Sequence, residues 1–182
     1  MKTNFVVITG GPGGGKSSLL NVLSRKGFKY INETGRAIIK DRINKGLSPR
    51  PDLKEFAKLM FQQDYQNYID NINASEILFF DRSFIDSALF IQQTDKSYFE
   101  GIRNTINTYR FNNNVFMTPP WKEIYCNDDE RDQTFDEAID IYEKLKEWYK
   151  MNGYQPIILP KVSVERRAEF ILSEIKPLKI KQ

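Results

Sequence analysis

Residues 10–17 read Gly-Gly-Pro-Gly-Gly-Gly-Lys-Ser and fit G-x-x-x-x-G-K-[ST], the pattern of a phosphate-binding loop. The apolar run 5–8 precedes them and the helix-like stretch 18–23 follows, so the pattern stands between a predicted strand and a predicted helix. Glycines let successive backbone N–H groups turn into one concavity, and a helix N-terminus adds partial positive charge there. The pattern therefore predicts a site for nucleotide phosphates. The alternative is a glycine-rich turn that binds nothing.

Each residue of this loop has an expected task. Lys16 is predicted to reach the β- and γ-phosphates and to act in catalysis, while the Ser17 hydroxyl ligates Mg²⁺ and Ser18 touches the α-phosphate. The sequence has no Asn-Lys-x-Asp motif for guanine, so ATP is favoured over GTP, and ATP and Mg²⁺ are the predicted cofactors. The predicted nucleotide-binding residues are Gly11, Pro12, Gly13, Gly14, Gly15, Lys16, Ser17 and Ser18.

Asp81 and Arg82 directly follow the apolar run 77–80, which predicts a buried strand. Asp81 is predicted to be catalytic and to belong to the metal site. It would hold the Mg²⁺ shell, as a Walker-B aspartate does, or accept a proton from an attacking hydroxyl. Arg82, also a predicted catalytic residue, offers a planar fork to a phosphate or a carboxylate. The structural alternative is that Asp81 is only a charge before the next helix, which Ser83 would cap.

Glu33 and Arg36 follow the second predicted strand and are the candidates for binding a second substrate. Glu33 could hydrogen-bond hydroxyl groups of an acceptor, and Arg36 could bind an anionic part of it. An internal ion pair at a solvated helix start explains the same two residues equally well.

The charged segment 127–132 separates the fourth predicted strand from a helix that Thr134 and Glu137 open as a capping box. Phosphotransferases often cover the transferring phosphate with a mobile lid that carries an arginine. Residues of about 119–134 are therefore a predicted lid, with Arg131 as its catalytic arginine. A solvated run of charges is the alternative.

Five apolar runs alternate with amphipathic helices, which predicts a parallel sheet covered on both faces. The ligands of such sheets bind at the carboxyl ends of the strands, where all the residues above are expected. We expect one domain over residues 1–176 and a basic tail over 177–182. The predicted strands cover residues 5–8, 28–32, 77–80, 115–117 and 156–159.

Composition narrows the classes of function. The chain has 182 residues, 40% of them hydrophobic, a net charge of +3 and no apolar stretch long enough to span a membrane. This balanced charge makes nucleic acid an unlikely partner and leaves a protein partner open. The absence of histidine excludes Ser-His-Asp triads and histidine metal ligands, while the single cysteine, Cys126, fits a reducing, cytoplasmic location.

Four groups of residues together resemble one family: residues 10–17, residues 33–36, residues 80–83 with Asp86, and residues 153–160 with 163–167. This chain resembles the small single-domain P-loop ATPases and kinases of the AAA-domain type, which are related to NadR-like ribosylnicotinamide kinases. The Asp-Arg-Ser element is also similar to the Asp-Arg and Glu-Arg motifs of thymidylate and deoxynucleoside kinases. The resemblance implies a three-layer α/β P-loop NTPase fold of nucleoside/nucleotide-kinase type, with a five-stranded parallel sheet and a small lid.

The same resemblance implies phosphoryl transfer from Mg²⁺·ATP to a small, nucleoside-like acceptor, or ATP hydrolysis. Gly35 stands where the family usually has alanine, and the chain lacks the adenylyltransferase and DNA-binding domains of a full NAD-biosynthesis regulator. It also lacks the helical domain of ring-forming AAA machines. The alternative function is a nucleotide-dependent regulatory switch with slow hydrolysis. An acceptor that raises nucleotide consumption above the basal rate would distinguish the two.

Overall fold

The structure, a computed structural model, describes residues 2–49, 51–125 and 134–175. Its strands are β1 (Phe5–Gly10), β2 (Lys29–Ile31), β3 (Leu78–Asp81), β4 (Asn114–Thr118) and β5 (Gln155–Ile158). Its helices are α1 (Lys16–Arg25), α2 (Thr34–Asn44), α3 (Leu53–Asp70), α4 (Phe84–Thr94), α5 (Lys96–Thr108), α6 (Phe135–Met151) and α7 (Val164–Ile175). The five predicted strands are thus confirmed, with ends that move by one or two residues.

All strand pairs are parallel, and the strand order is β2-β3-β1-β4-β5. The central strand β1 lies between β3 and β4, with Ile8 opposite Asp81 on one side and Phe116 on the other. The carboxyl ends of these three strands therefore meet at one edge of the sheet. This edge is where the residues with predicted chemistry lie.

Alternating side chains of the strands build a core on each face of the sheet. Phe5 and Val7 of β1 pack into a large cluster with residues of α3, α4, α5 and α6, and many of its members are aromatic. Val6 and Ile8 point to the opposite face and pack with residues of α1 and α7. The molecule therefore has three layers, helices–sheet–helices, as the α/β prediction required.

Side-chain caps fix where several helices begin. Ser83 and Thr134 each form a capping box, the first with Asp86 and the second with Glu137. Asp52 accepts a hydrogen bond from the backbone N–H of Glu55 and caps α3. The caps at Ser83 and Thr134 were predicted and are confirmed.

The predicted lid, about residues 119–134, is only partly described. Lys122–Ile124 form one turn of 3-10 helix where a loop was expected, because the backbone N–H of Ile124 bonds the carbonyl oxygen of Trp121 at 3.3 Å. Residues 126–133 and the predicted tail 177–182 lie outside the described residues. The domain limits therefore remain predictions. Within the described ranges, none of the helices is both long and apolar enough to cross a membrane.

Candidate active site

The glycine-rich loop connects β1 to α1, as predicted. α1 begins at Lys16, and Gly15 precedes it in a left-handed conformation with φ of 76°. The first backbone N–H groups of α1 have no partner within the helix and carry its partial positive charge. The loop and the helix end therefore form the anion-binding geometry that the sequence pattern predicts.

Gly11 and Gly13 are among the loop glycines that their surroundings require. A Cβ atom on Gly11 would overlap the carbonyl oxygen of Ala138 in the first turn of α6. Gly13 has a φ of +72°, and a Cβ atom there would overlap the ring of Tyr125. The loop is therefore held in shape by backbone and ring atoms of neighbouring segments that a side chain would displace.

Lys16 is buried, and its ammonium donates a hydrogen bond to the carbonyl oxygen of Gly11 at 2.9 Å. The side chain thus folds back over its own loop, where a phosphate oxygen would compete with the Gly11 carbonyl for the ammonium. Ser17 and Ser18 follow in the first turn of α1 and are exposed. Their predicted contacts with the phosphates and with Mg²⁺ stay predictions.

Asp81 ends β3 beside the central strand, and the residue is only 7% exposed. Within the part of the chain that the structure describes, its Oδ1 atom accepts no hydrogen bond. Burial raises the pKa of Asp81 to about 6, although the nearby charges of Lys16 and Arg82 oppose this shift. A buried carboxylate oxygen without a donor is available to a ligand.

Arg82 adopts a left-handed backbone conformation, with φ of 67°, that residues other than glycine rarely take. Its N–H group donates to the carbonyl oxygen of Ile8 at 3.0 Å and so extends the pairing between β3 and β1 by one residue. Its Nε atom donates to Glu33 Oε1 at 3.0 Å, and Nη1 lies 3.6 Å from Asp86 Oδ1. The unusual backbone turn thus directs the guanidinium across the strand ends towards β2 and α4.

Charges around Arg82 keep its guanidinium ionised. Burial lowers the pKa of Arg82, but the carboxylates of Glu33, Asp86 and Asp81 outweigh burial and raise it. Glu33 also pairs with Arg36, at 3.5 Å between Oε2 and Nε. The internal ion pair expected as an alternative for Glu33 and Arg36 is therefore present. Their predicted contact with an acceptor stays a prediction.

A cavity of about 230 Å³ lies beside these charged groups. Its wall includes Pro12 of the glycine-rich loop, Glu33 and Arg36 from the start of α2, and Arg82. The rest of the wall is mainly apolar side chains of α2, α3, α4 and α6. These are Ile39, Leu53, Phe56, Met60, Phe90 and Ile141. The cavity thus combines apolar side chains with the charged groups of Glu33, Arg36 and Arg82, and Pro12 of the loop borders it.

The family model of an AAA domain matches residues 5–167 of this chain. The chain belongs to this AAA-domain family. Among curated proteins, none matches the sequence.

Solved structures share the fold of this AAA domain. Deoxyadenosine kinase from M. mycoides, with the products dCMP and dCDP bound, superposes with a TM-score of 0.71 at 16% identity. The alignment covers 95% of this chain and 99% of the kinase chain. NadR in complex with NR gives a TM-score of 0.74 at 20% identity over 98% of this chain and 53% of the NadR chain. The AAA domain thus has the P-loop fold of nucleoside kinases, as expected, and spans about half of NadR.

Asp64 is a residue of the cavity that the sequence did not reveal. It lies in the middle of α3, and its carboxylate accepts hydrogen bonds from the hydroxyls of Thr34 and of Ser87, the latter at 3.0 Å. Burial raises the pKa of Asp64 to about 7, and the two hydroxyl donors only partly offset this. An aspartate among other polar residues of a helix carries no sequence signal that separates it from a solvated one.

Asp86 does more than complete the capping box of α4. Its Oδ2 atom accepts the capping hydrogen bond from the Ser83 N–H at 3.0 Å and a second bond from the Tyr149 hydroxyl. Its Oδ1 atom accepts from the Thr9 hydroxyl. Asp86 therefore ties β1, α4 and α6 together directly beneath Arg82.

The donor atoms at the loop suit a Mg²⁺ ion. Proteins commonly hold Mg²⁺ in phosphotransfer sites with one or two of their own oxygens, while phosphates and waters complete the shell. In residues 2–49, 51–125 and 134–175, no cluster of three or more acidic or cysteine side chains could hold a metal alone. The unpartnered Oδ1 atom of buried Asp81 and the exposed hydroxyl-bearing Ser17 fit such a sparse site. Arg131, the predicted lid arginine, lies outside the described residues.

Proposed function

We propose that this AAA domain transfers the γ-phosphoryl group of Mg²⁺·ATP to a hydroxyl group of a small, nucleoside-like acceptor. The observation that carries the proposal is the cavity whose wall joins Pro12 of the glycine-rich loop to Glu33 and Arg82. An acceptor in this cavity would lie beside the terminal phosphate of a nucleotide on the loop. The shared fold with deoxyadenosine kinase and with NadR bound to NR supports the choice of acceptor class.

The donor side holds the triphosphate through backbone and charge. The N–H groups of Gly11 and of residues 13–18 surround the phosphates, and the Lys16 ammonium exchanges the Gly11 carbonyl for β- and γ-phosphate oxygens. Ser17 and Asp81 would hold Mg²⁺, whose charge offsets that of the phosphates when it is bound. Catalysis on this side is positioning and electrostatic stabilisation.

The acceptor side supplies the nucleophile. The acceptor hydroxyl oxygen forms a bond to the γ-phosphorus while the bond from that phosphorus to the bridging β–γ oxygen breaks, and ADP leaves. The hydroxyl proton passes to a carboxylate, and Asp81 is the candidate in the alternative in which its Oδ1 atom, which accepts no hydrogen bond in the described structure, does not ligate Mg²⁺. Glu33 and Arg36 orient the acceptor, and Arg82 and Arg131 stabilise the charge of the transferring group.

A reducing, cytoplasmic location is part of this proposal. The single cysteine of the sequence, Cys126, supports it, because one cysteine allows no internal disulfide.

Acceptor-stimulated nucleotide consumption tests the proposal. Purified protein is incubated with Mg²⁺·ATP and a panel of nucleosides, and ADP release and phosphorylated products are measured. We expect at least one nucleoside to raise ADP release tenfold or more above the basal rate and to appear as its monophosphate. The same nucleoside should raise the melting temperature by mass action, and more so with a non-hydrolysable ATP analogue present.

Lys16→Ala is the matched loss-of-function variant and should abolish both basal and stimulated turnover. Slow ATP hydrolysis that no acceptor raises would contradict the kinase and favour a nucleotide-dependent switch. Full turnover in Lys16→Ala would contradict the assignment of the glycine-rich loop as the donor site.

A further inference from the structure

Arg167, in the first turn of α7, reaches the phosphate loop from the opposite end of the chain. Its Nη1 atom donates a hydrogen bond to the carbonyl oxygen of Gly14 at 3.2 Å, and the residue is 5% exposed. Its neighbour Arg166 lies on the exposed side of the same helix turn. One of two adjacent arginines is therefore directed at the loop, and the other is not.

The Gly14 carbonyl and the Gly15 N–H belong to one peptide unit. Such a unit is planar, and in its trans form the carbonyl and the N–H point in opposite directions; the described residues contain no cis peptide bond. A donor that holds the carbonyl oxygen therefore also fixes the direction of the N–H. Glycine residues on both sides leave this peptide free to rotate unless a neighbour holds it.

We infer that Arg167 is a positioning residue for the nucleotide: by binding the Gly14 carbonyl it keeps the Gly15 N–H pointed into the phosphate-binding concavity. This inference rests on the proposed role of the loop as the donor site. Arg167 itself does not touch the phosphates. It acts through the loop peptide, whose N–H is one of the donors that the triphosphate would use.

The surroundings of Arg167 argue against a role in stability alone. Its Nε atom is buried and has no hydrogen-bond partner within the described part of the chain. Burial also lowers the pKa of Arg167, which the charge of Glu165 only partly offsets, and the guanidinium lies 5.6 Å from the ring centroid of Trp121. A buried charge with one unused donor is costly to fold, so an apolar side chain of similar length should be tolerated there.

Binding measurements on three variants test the inference. Calorimetry with Mg²⁺·ATP and with inorganic tripolyphosphate compares wild type with Arg167→Met, Arg167→Lys and the control Arg166→Met. We expect Arg167→Met to weaken both ligands about tenfold, while its melting temperature without ligand stays the same or rises. Arg167→Lys should recover part of the loss, because a lysine also donates to a carbonyl oxygen. Arg166→Met should match wild type.

Several outcomes would overturn the inference. If Arg167→Met binds tripolyphosphate as tightly as wild type does, the inference is wrong. This holds even if the variant loses affinity for ATP, because a loss for ATP alone indicates a contact with the base or ribose. If Arg167→Met does not fold, Arg167→Leu, which also has no donor, replaces it, with the same tenfold loss expected. If wild type binds neither ligand, the donor site itself is wrong and the proposed function fails with the inference.

Discussion

The two halves of the candidate site are built in different ways. The phosphate loop is a continuous stretch whose shape depends on backbone groups, and a Cβ on Gly11 or Gly13 would overlap its neighbours. The proposed acceptor cavity is assembled from side chains of α2, α3, α4 and α6, and its charged groups include the ion pairs around Arg82. Binding on the loop should therefore depend on conformation, and binding in the cavity on side-chain charge.

Asp81 stands between the two halves, and its substitution should have the largest effect. We expect Asp81→Asn to lower the turnover number about a thousandfold, because the amide cannot accept the proton and is a poorer ligand for Mg²⁺. ATP affinity should change less than about threefold, since the loop holds the phosphates. Steady-state kinetics and calorimetry measure the two quantities.

The isosteric control for this variant is Asp70→Asn, at the exposed end of α3. It should leave turnover unchanged. Wild-type turnover in Asp81→Asn would show that neither half of the site uses this carboxylate.

Arg82→Met should affect the acceptor half of the candidate site and leave ATP binding on the loop nearly unchanged. We expect the acceptor-dependent kcat/KM to fall about a hundredfold while ATP affinity stays within about threefold of wild type. The free energy of unfolding should fall by about 1–3 kcal/mol, because Glu33 and Asp86 lose the cation that faces them. Denaturant unfolding and acceptor kinetics give both values.

Arg103→Met is the matched control, since Arg103 pairs with Glu100 at 2.7 Å on the exposed surface of α5. Exposed pairs contribute little, so its unfolding free energy should stay within about 0.5 kcal/mol of wild type. Equal losses of stability in the two variants would contradict the distinction between the cavity pairs and surface pairs.

The same contrast explains what the sequence could predict. The glycine-rich loop between a strand and a helix, the strand–helix alternation and the Thr134 capping box are local patterns, and each is confirmed. The placement of Asp81 at the carboxyl edge of the sheet followed from the rule that ligands bind at the carboxyl ends of parallel strands, whereas the pairing of its strand with β1 comes from the structure. Local patterns with a direct physical meaning were therefore enough to predict the fold and the edge of the sheet where the candidate site lies.

The cavity could not be predicted in this way, because its residues meet only after the helices pack. Asp64 contacts Thr34, which is 30 residues away, and Ser87. Arg167 contacts Gly14 across 153 residues. The left-handed backbone of Arg82 has no sequence signal either, since arginine rarely adopts it. Such contacts depend on how the helices and strands pack in three dimensions, which the spacing of residues along the chain does not determine.

Asp64 allows a pH test of the cavity. Its pKa is raised from 3.8 in a free side chain to about 7, so between about pH 4 and 7 the folded protein binds a proton that the unfolded chain releases. The contribution of Asp64 to the free energy of unfolding therefore falls as the pH rises through this range, by at most about 1.4 kcal/mol per pH unit. Urea unfolding between pH 5 and 7 measures the slope.

Asp64→Asn removes the titrating group and keeps the shape of the side chain. The variant should lose less stability than wild type between pH 5 and 7, while all other groups titrate as before. Parallel stability profiles of the two proteins would show that Asp64 is ionised throughout this range and that its burial has little effect on its charge.

The smallest expected effect comes from two helical glycines. A Cβ on Gly101 of α5 would meet no atom within 4 Å, so Gly101→Ala should raise the free energy of unfolding by about 0.5–1 kcal/mol through helix propensity alone. A Cβ on Gly35 would lie 3.3 Å from the Met60 sulfur, at the wall of the cavity. The flexible thioether can move aside, so Gly35→Ala should gain about the same stability or slightly less.

The two alanine variants should differ in acceptor binding rather than in stability. Gly35→Ala narrows the cavity and should change the KM for the acceptor by up to about fivefold, while the KM for ATP stays unchanged. Gly101→Ala should change neither KM, because α5 contributes no residue to the cavity wall. An ATP-specific effect of Gly35→Ala would show that the cavity and the phosphate loop are one binding surface, and the division of the site into a backbone half and a side-chain half would fail.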